Sequence, residues 1–305
     1  MNNPMPFPIK CLGDVEKVDL LKLPHFKSGI ESLDRIIEGL FDSQLIVVTG
    51  KRGQGKSTFA SQILSNALDQ GRNIFAYSGE LPDYNFRAWL DMQIAGAQNI
   101  ETTYNKWNDA NYTLKDEAAQ KLSDFYQGRA YIYDNTAVCK DELQKVLLNT
   151  IRYAAKELNC SVFLIDNIMT AVDMLGNDAY AIQSSFVKQL KSAAAELNVT
   201  VILIAHPRKT EQGKDLVNDD VSGSADITNL ADIVLTYSRI AAQNGKDADY
   251  DSKIQVTKNR LTGRLAVGDT AIKVKYSEKT KRIISDDDKD PNRLMCCFKN
   301  SYIPF

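Results

Sequence analysis

Long apolar runs are missing from this 305-residue chain. Stretches such as Leu45-Ile46-Val47-Val48 and Val201-Ile202-Leu203-Ile204-Ala205 are of strand length, far short of the roughly 20 residues that a membrane helix requires. The polar N-terminus also lacks the hydrophobic region of a signal peptide. These absences predict a cytoplasmic protein with no membrane partner. The five cysteines include adjacent Cys296 and Cys297 but no CxxC pair. No Cys/His grouping has zinc-ligand spacing, so neither a disulfide framework nor a structural zinc site is expected. An excess of one charge is missing too: 37 Lys and Arg stand against 39 Asp and Glu, a net charge of −2. That balance excludes a protein that coats nucleic acid along its whole surface, and restricts any such binding to a locally basic patch. Repeats and low-complexity tracts are absent as well. What remains is a globular composition, 44% hydrophobic and 25% charged, on a chain long enough for one large domain or two small ones.

Residues 1–27 carry Pro4, Pro6, Pro8 and Pro24 and little periodicity, which predicts a peripheral extended arm. Apolar Ile30, Leu33, Ile36, Ile37 and Leu40 then recur at helical spacing. From there short apolar runs alternate with amphipathic segments. Strands are predicted over 44–50, 73–78, 130–133, 161–165 and 199–205, and helices over 57–70, 82–95, 114–126, 142–158 and 181–197. Strands alternating with helices of this length imply a parallel sheet covered on both faces. One α/β domain is therefore expected over most of residues 28–285. Past Gly245 the runs 253–260, 271–276 and 279–284 alternate around turns and predict antiparallel strands at the end of that sheet. Residues 286–305 form a tail without an assignable pattern.

The chemistry concentrates where the predicted strands end. Gly50-Lys51-Arg52-Gly53-Gln54-Gly55-Lys56-Ser57 fits the pattern G-x-x-x-x-G-K-[ST] between a strand and a helix. Its glycines let successive N–H groups curl around phosphate oxygens, and the following helix N-terminus adds positive potential. Lys56 is then the phosphate cation and Ser57 the ligand of a magnesium ion, which makes Mg-ATP the expected cofactor pair. Such a site needs one carboxylate to hold magnesium through water and another to polarise the attacking water. Asp166 closes the run Val162-Phe163-Leu164-Ile165, and Glu80 follows Tyr77-Ser78-Gly79, so both should emerge at one sheet edge. Asp166 is read as the metal carboxylate rather than a strand-end cap. Glu80 is read as the water-activating base, with a helix-dipole charge before Pro82 as the alternative. His206 ends a third strand at the same edge and is a candidate γ-phosphate sensor. The loop after it carries Arg208, Lys209 and Lys214, cations that could track a nucleic-acid backbone. Its Glu211, Asp215, Asp219 and Asp220 leave a merely solvated loop open as the other reading.

The ordered set resembles the RecA-like motor domain of ring-shaped replicative DNA helicases, the DnaB/Twinkle group. It is carried by Ser28-Gly29-Ile30-Glu31-Ser32-Leu33-Asp34, Gly50 to Thr58, Ser78-Gly79-Glu80-Leu81, Leu164-Ile165-Asp166-Asn167, His206-Pro207-Arg208-Lys209, Ser222-Gly223-Ser224-Ala225 with Leu230-Ala231-Asp232, and Lys258-Asn259-Arg260. The resemblance implies a homo-oligomeric ring, typically a hexamer, that hydrolyses ATP between neighbouring subunits while translocating on single-stranded DNA. It adds Thr58 to the nucleotide-binding set. It also makes Arg260, with Lys258, a cationic finger acting in trans; by themselves these two would read as edge-strand charges. Loops 173–180 and 207–221 are placed on the ring channel. Residues 1–27 leave room for neither an N-terminal helical domain nor a primase-like region. The implied protein is thus a stand-alone motor with a separate primase or loader, or the motor part of a longer one. Two rivals share the same core: a RecA/RadA-like recombination or repair ATPase, and a KaiC-like regulatory ATPase without DNA activity.

Overall fold

The computed structural model of the chain describes residues 9–137, 143–172, 179–206, 225–240, 249–288 and 295–298. Residues 9–20 are exposed. The core begins sooner than the sequence pattern suggests. Strand β1 (His25–Phe26) pairs antiparallel with β2 (Leu40–Phe41) around helix α1 (Glu31–Ile37), and Phe26 is buried with Ile30, Leu33 and Ile37. A lone aromatic beside Pro24 has no periodicity to reveal it. Asp34 explains the Ser-Gly-Ile-Glu-Ser-Leu-Asp motif: its carboxylate accepts from the N–H groups of Ser28 (2.8 Å) and Gly29 (3.2 Å) and so closes the turn into α1. The far end of the chain reinforces it. The Asp288 carboxylate accepts from the Glu31 N–H at 3.4 Å, Ser32 donates to Asp287 at 2.6 Å, and Met295 and Cys297 are buried in the core.

The chain continues through β3 (Leu45–Thr49), α2 (Lys56–Asp69), β4 (Asn73–Ser78), α3 (Asp83–Ala95), β5 (Ile100–Tyr104), β6 (Ala110–Leu114), α4 (Asp116–Tyr126) and β7 (Ala130–Ile132). It then forms α5 (Leu143–Glu157), β8 (Cys160–Asp166), α6 (Ile168–Ala171), α7 (Ala179–Leu197) and β9 (Thr200–Ala205). After α8 (Ala225–Leu230) come β10 (Ile233–Arg239), β11 (Ser252–Asn259), β12 (Ile272–Ser277) and β13 (Arg282–Ile284). Among the described residues, nine strands make one sheet in the order β13-β12-β11-β10-β3-β9-β8-β4-β7. Neighbours from β10 to β7 run parallel, and β11, β12 and β13 add antiparallel.

The alternation of side chains across each strand divides the core in two. Ile46 and Val48 of β3, Val162 and Leu164 of β8, and Ile202 and Ile204 of β9 meet Leu33, Phe59, Ile63, Phe86 and Leu122 of α1 to α4. The intervening Leu45, Val47, Phe163, Ile165, Val201 and Leu203 face Leu147, Ile151, Phe186, Leu190 and Ile227 of α5, α7 and α8. A sheet apolar on both faces must be covered on both, since each fully buried branched side chain contributes about 1.5–3 kcal/mol. The β5–β6 hairpin was not anticipated. Its Thr102-Thr103-Tyr104 and Tyr112-Thr113 runs are β-formers, and Asn105, whose side chain accepts from the Trp107 and Asp109 N–H groups, builds the turn between them. Because β3, β4, β8 and β9 are parallel, their C-terminal ends lie along one edge.

Candidate nucleotide site

At that edge β3 gives way to the loop 50–55 and the N-terminus of α2. Gly50 has φ of +152°, and a Cβ there would lie 2.1 Å from the Tyr237 carbonyl oxygen. Only glycine lets the loop leave β3 so close to β10. Lys56, the first residue of α2, is 5% exposed, and its Nζ donates to the Lys51 carbonyl at 3.0 Å. Burial pulls its pKa down to about 8, against the attraction of Asp166 and Glu80 and with a smaller push from Arg52. Asp166, at the end of β8, is 2% exposed. Desolvation pushes its pKa up to about 6, opposed by the Ser57 hydroxyl, which donates to it, and by Lys56; Glu80 adds to the rise.

Glu80 is set just past the end of β4. Ser78 Oγ donates to the Leu81 carbonyl (3.0 Å) and accepts from its N–H (3.2 Å), while the Gly79 N–H donates to the Asp166 carbonyl at 2.7 Å. Gly79 packs so tightly against α6 that a Cβ would meet Thr170 Oγ1 at 2.0 Å. The Glu80 side chain, 54% exposed, therefore emerges beside Asn167 and His206. Asn167 Nδ2 donates to Glu80 Oε1 at 2.5 Å and lies 3.0 Å from His206 Nε2, which is itself 3.4 Å from Glu80 Oε1. Burial lowers the pKa of His206, Lys56 adds to that, and Glu80 opposes it.

Arg52, Gly53, Gln54, Gly55, Lys56, Ser57, Thr58, Glu80, Asp166 and His206 all line one cleft of about 910 Å³. Of the predicted phosphate-loop residues, Gly50 and Lys51 sit behind it, Gly50 against Tyr237 and Lys51 through its carbonyl on Lys56. The donor set fits a magnesium-bound polyphosphate. A buried ammonium whose charge is penalised by desolvation gains most from an anion brought to it, and the Ser57 hydroxyl and Asp166 carboxylate supply hard oxygen donors in mutual contact.

Lys258 and Arg260 do not line the cleft of their own chain. Lys258 Nζ donates to the carbonyls of Thr228 (2.7 Å) and Asn229 (2.9 Å), Arg260 donates to the Asn229 carbonyl, and the Arg260 guanidinium lies 3.6 Å from Asp232. Both thus cap the C-terminal end of α8, where cations are favoured. Arg208, Lys209 and Lys214 lie outside the described residues, as do loop residues 173–178.

Two contributors escaped sequence reasoning. Asn167 stands in the strand-end motif but carries no charge to flag it. Tyr237 lies on β10, far along the chain from Gly50, and packs against Gly55 and on the Phe59 ring at 5.6 Å between centroids. Its only signal was an aromatic beyond the last predicted parallel strand.

The family described as the DnaB-like helicase C terminal domain matches residues 26–284. Replicative DNA helicase DnaB of Pasteurella multocida (strain Pm70) is 25% identical over 254 residues, covering 77% of this chain and 52% of that protein. The protein of the same name from Mycoplasma pneumoniae is 24% identical over 261 residues, 79% of this chain and 51% of that protein. The chain spans about half the length of these curated relatives. Among solved structures, a DnaB-like replicative helicase described with its interactions with primase aligns with a TM-score of 0.67 at 19% identity, over 86% of this chain and 63% of that one. A solved ATPase domain gives 0.65 at 18% identity, over 86% and 92%. A KaiC-like protein from Pyrococcus horikoshii OT3 gives 0.58 at 19%, over 86% and 99%, so the RecA-like fold is common to all three. The family match takes in every strand of the central sheet, and the chain belongs to the DnaB-like helicase C-terminal domain family.

Proposed function

We propose that this protein is an ATP-driven motor that works as a ring of identical subunits, gripping single-stranded DNA with its channel loops and unwinding duplex DNA in replication. The observation that carries the reading is the convergence of Lys56, Asp166, Glu80 and His206 from the ends of β3, β8, β4 and β9 in one cleft, in a chain of this family. A bound magnesium ion would supply charge neutralisation at the phosphates. Ser57 and, through water, Asp166 are the residues to hold it; Thr58 lines the nucleotide beside them. Lys56 meets the phosphates with a charge that burial penalises and that Asp166 and Glu80 only partly offset. Glu80, more exposed than Asp166 at this edge, accepts the proton of the attacking water. His206 reports on the far phosphate from the next strand.

Arg260, with Lys258, is assigned to the neighbouring subunit's site. In its own chain the pair caps α8, away from the cleft, so it can stabilise developing phosphate charge only where another copy supplies the phosphate. Arg208, Lys209 and Lys214 are proposed to contact the DNA backbone, which makes binding salt-dependent and insensitive to sequence. A separate primase or loader is proposed as a partner, on the strength of the structural neighbour described with primase.

The test is strand displacement on a forked duplex with Mg-ATP. Unwinding by the wild type and none by Lys56→Ala is expected. Filament formation with strand exchange and no unwinding would instead assign the protein to recombination.

A further inference from the structure

Asn167 touches both the base and the sensor, and it is fully buried. Its side-chain oxygen is committed: Oδ1 accepts from the N–H groups of Met169 (2.8 Å) and Thr170 (3.3 Å) and so caps α6. The amide orientation follows from chemistry, because backbone N–H groups can only donate. Nδ2 must then point the other way, where it lies 2.5 Å from Glu80 Oε1 and 3.0 Å from His206 Nε2 with one hydrogen for each. An amide NH₂ has no acceptor capacity, so His206 Nε2 accepts and its proton sits on Nδ1. Among the described residues Nδ1 has no partner of its own. Glu80 and His206 are thus two acceptors 3.4 Å apart, kept from bonding to each other by a donor that serves both.

We propose that Asn167 is a positioning residue for hydrolysis: its amide holds the Glu80 carboxylate and the His206 ring in place as separate acceptors, leaving the carboxylate free to take a proton from water. Without that amide, the ring can carry its proton on Nε2 and donate it to Glu80. The carboxylate is then tied to the histidine and turned from the water. Because Asn167 also caps α6, the same side chain fixes the base relative to the first turn after β8. The inference rests on the ATPase reading of the site and names a further residue within it.

Asn167→Ser and Asn167→Asp separate this role from simple helix capping. Each keeps an oxygen that can accept from the Met169 and Thr170 N–H groups, and neither can donate to both Glu80 and His206. Steady-state turnover, KM for ATP and binding of a fluorescent ATP analogue are measured on the full chain, with thermal unfolding to confirm folding. In both variants kcat should fall roughly 10- to 100-fold, with KM and analogue affinity within about threefold of wild type. In a Glu80→Gln background, Asn167→Ser should change the residual turnover by less than about twofold, because the group it positions is gone. Wild-type kcat in both variants, or an equal loss in the Glu80→Gln background, would overturn the proposal while leaving the ATPase reading standing. Wild-type turnover by Glu80→Gln alone would remove the ATPase assignment of Glu80 and this inference with it.

Discussion

Asp166→Asn should make the nucleotide-free protein more stable. The carboxylate is 2% exposed, and desolvation raises its pKa from 3.8 to about 6 despite help from Ser57 and Lys56. A carboxyl whose folded pKa lies above its unfolded one binds its proton more tightly in the native state. Its contribution to stability is therefore favourable in acid, is lost as the pH rises from 3.8 to about 6, and leaves a constant cost above that window. The rise corresponds to about 3 kcal/mol at pH 7.5 and roughly half that at pH 5, at about 1.36 kcal/mol per pH-unit difference. Asparagine has the same shape and no charge to desolvate, and its Oδ1 can still accept from Ser57. Urea unfolding of the two proteins without nucleotide should show the variant more stable by up to about 3 kcal/mol at pH 7.5, with roughly half that gain at pH 5, while magnesium-dependent turnover is lost. A variant no more stable than wild type at pH 7.5, or a gain that does not shrink in acid, would refute the claim that this carboxylate is held ionised against burial for the sake of its ligand.

Other expectations concern the opposite charge, the interface and the loop. Lys56→Met should also stabilise the nucleotide-free protein, by on the order of 3 kcal/mol at most, because burial lowers the lysine pKa to about 8. The gain should be full below pH 8, vanish as the pH rises through about 10.5, and come with loss of ATP turnover, as followed by urea unfolding and phosphate release. Lys56→Ala and Arg260→Ala should each be inactive alone, with Arg260→Ala still binding nucleotide. Mixing the two before assembly should restore turnover, since the lysine variant's Arg260 can serve its neighbour's intact site; no recovery would place the finger in cis. Gly50→Ala should cost roughly 2 kcal/mol or more, as its Cβ meets the Tyr237 carbonyl at 2.1 Å; an unchanged urea midpoint would contradict the close approach of β3 and β10.

The parallel sheet and most of the cleft were legible because each rests on a local pattern. Buried strands such as 45–49 and 201–205 are short apolar runs between amphipathic helices, and their carboxyl ends must share an edge once they are parallel. That alone brought Glu80, Asp166 and His206 together with Lys56. What local pattern could not show were contacts between distant segments. Phe26 joins the core through pairing with residues 40–41, Met295 and Cys297 return from the far end, and Tyr237 backs the phosphate loop across the sheet. Asn167 stood in the strand-end motif, but its role was hidden for another reason: a neutral amide reveals its purpose only once its acceptor side is seen to be occupied. Lys258 and Arg260 were singled out by resemblance alone, and their own chain uses them to cap α8.

Steady-state ATP hydrolysis with and without single-stranded DNA, at two salt concentrations and with ring assembly confirmed by light scattering, tests the motor most directly. Strong stimulation by DNA that weakens at high salt is predicted, because contact with the strand is electrostatic and linked to turnover. Hydrolysis by an assembled ring that is indifferent to DNA at both concentrations would contradict it.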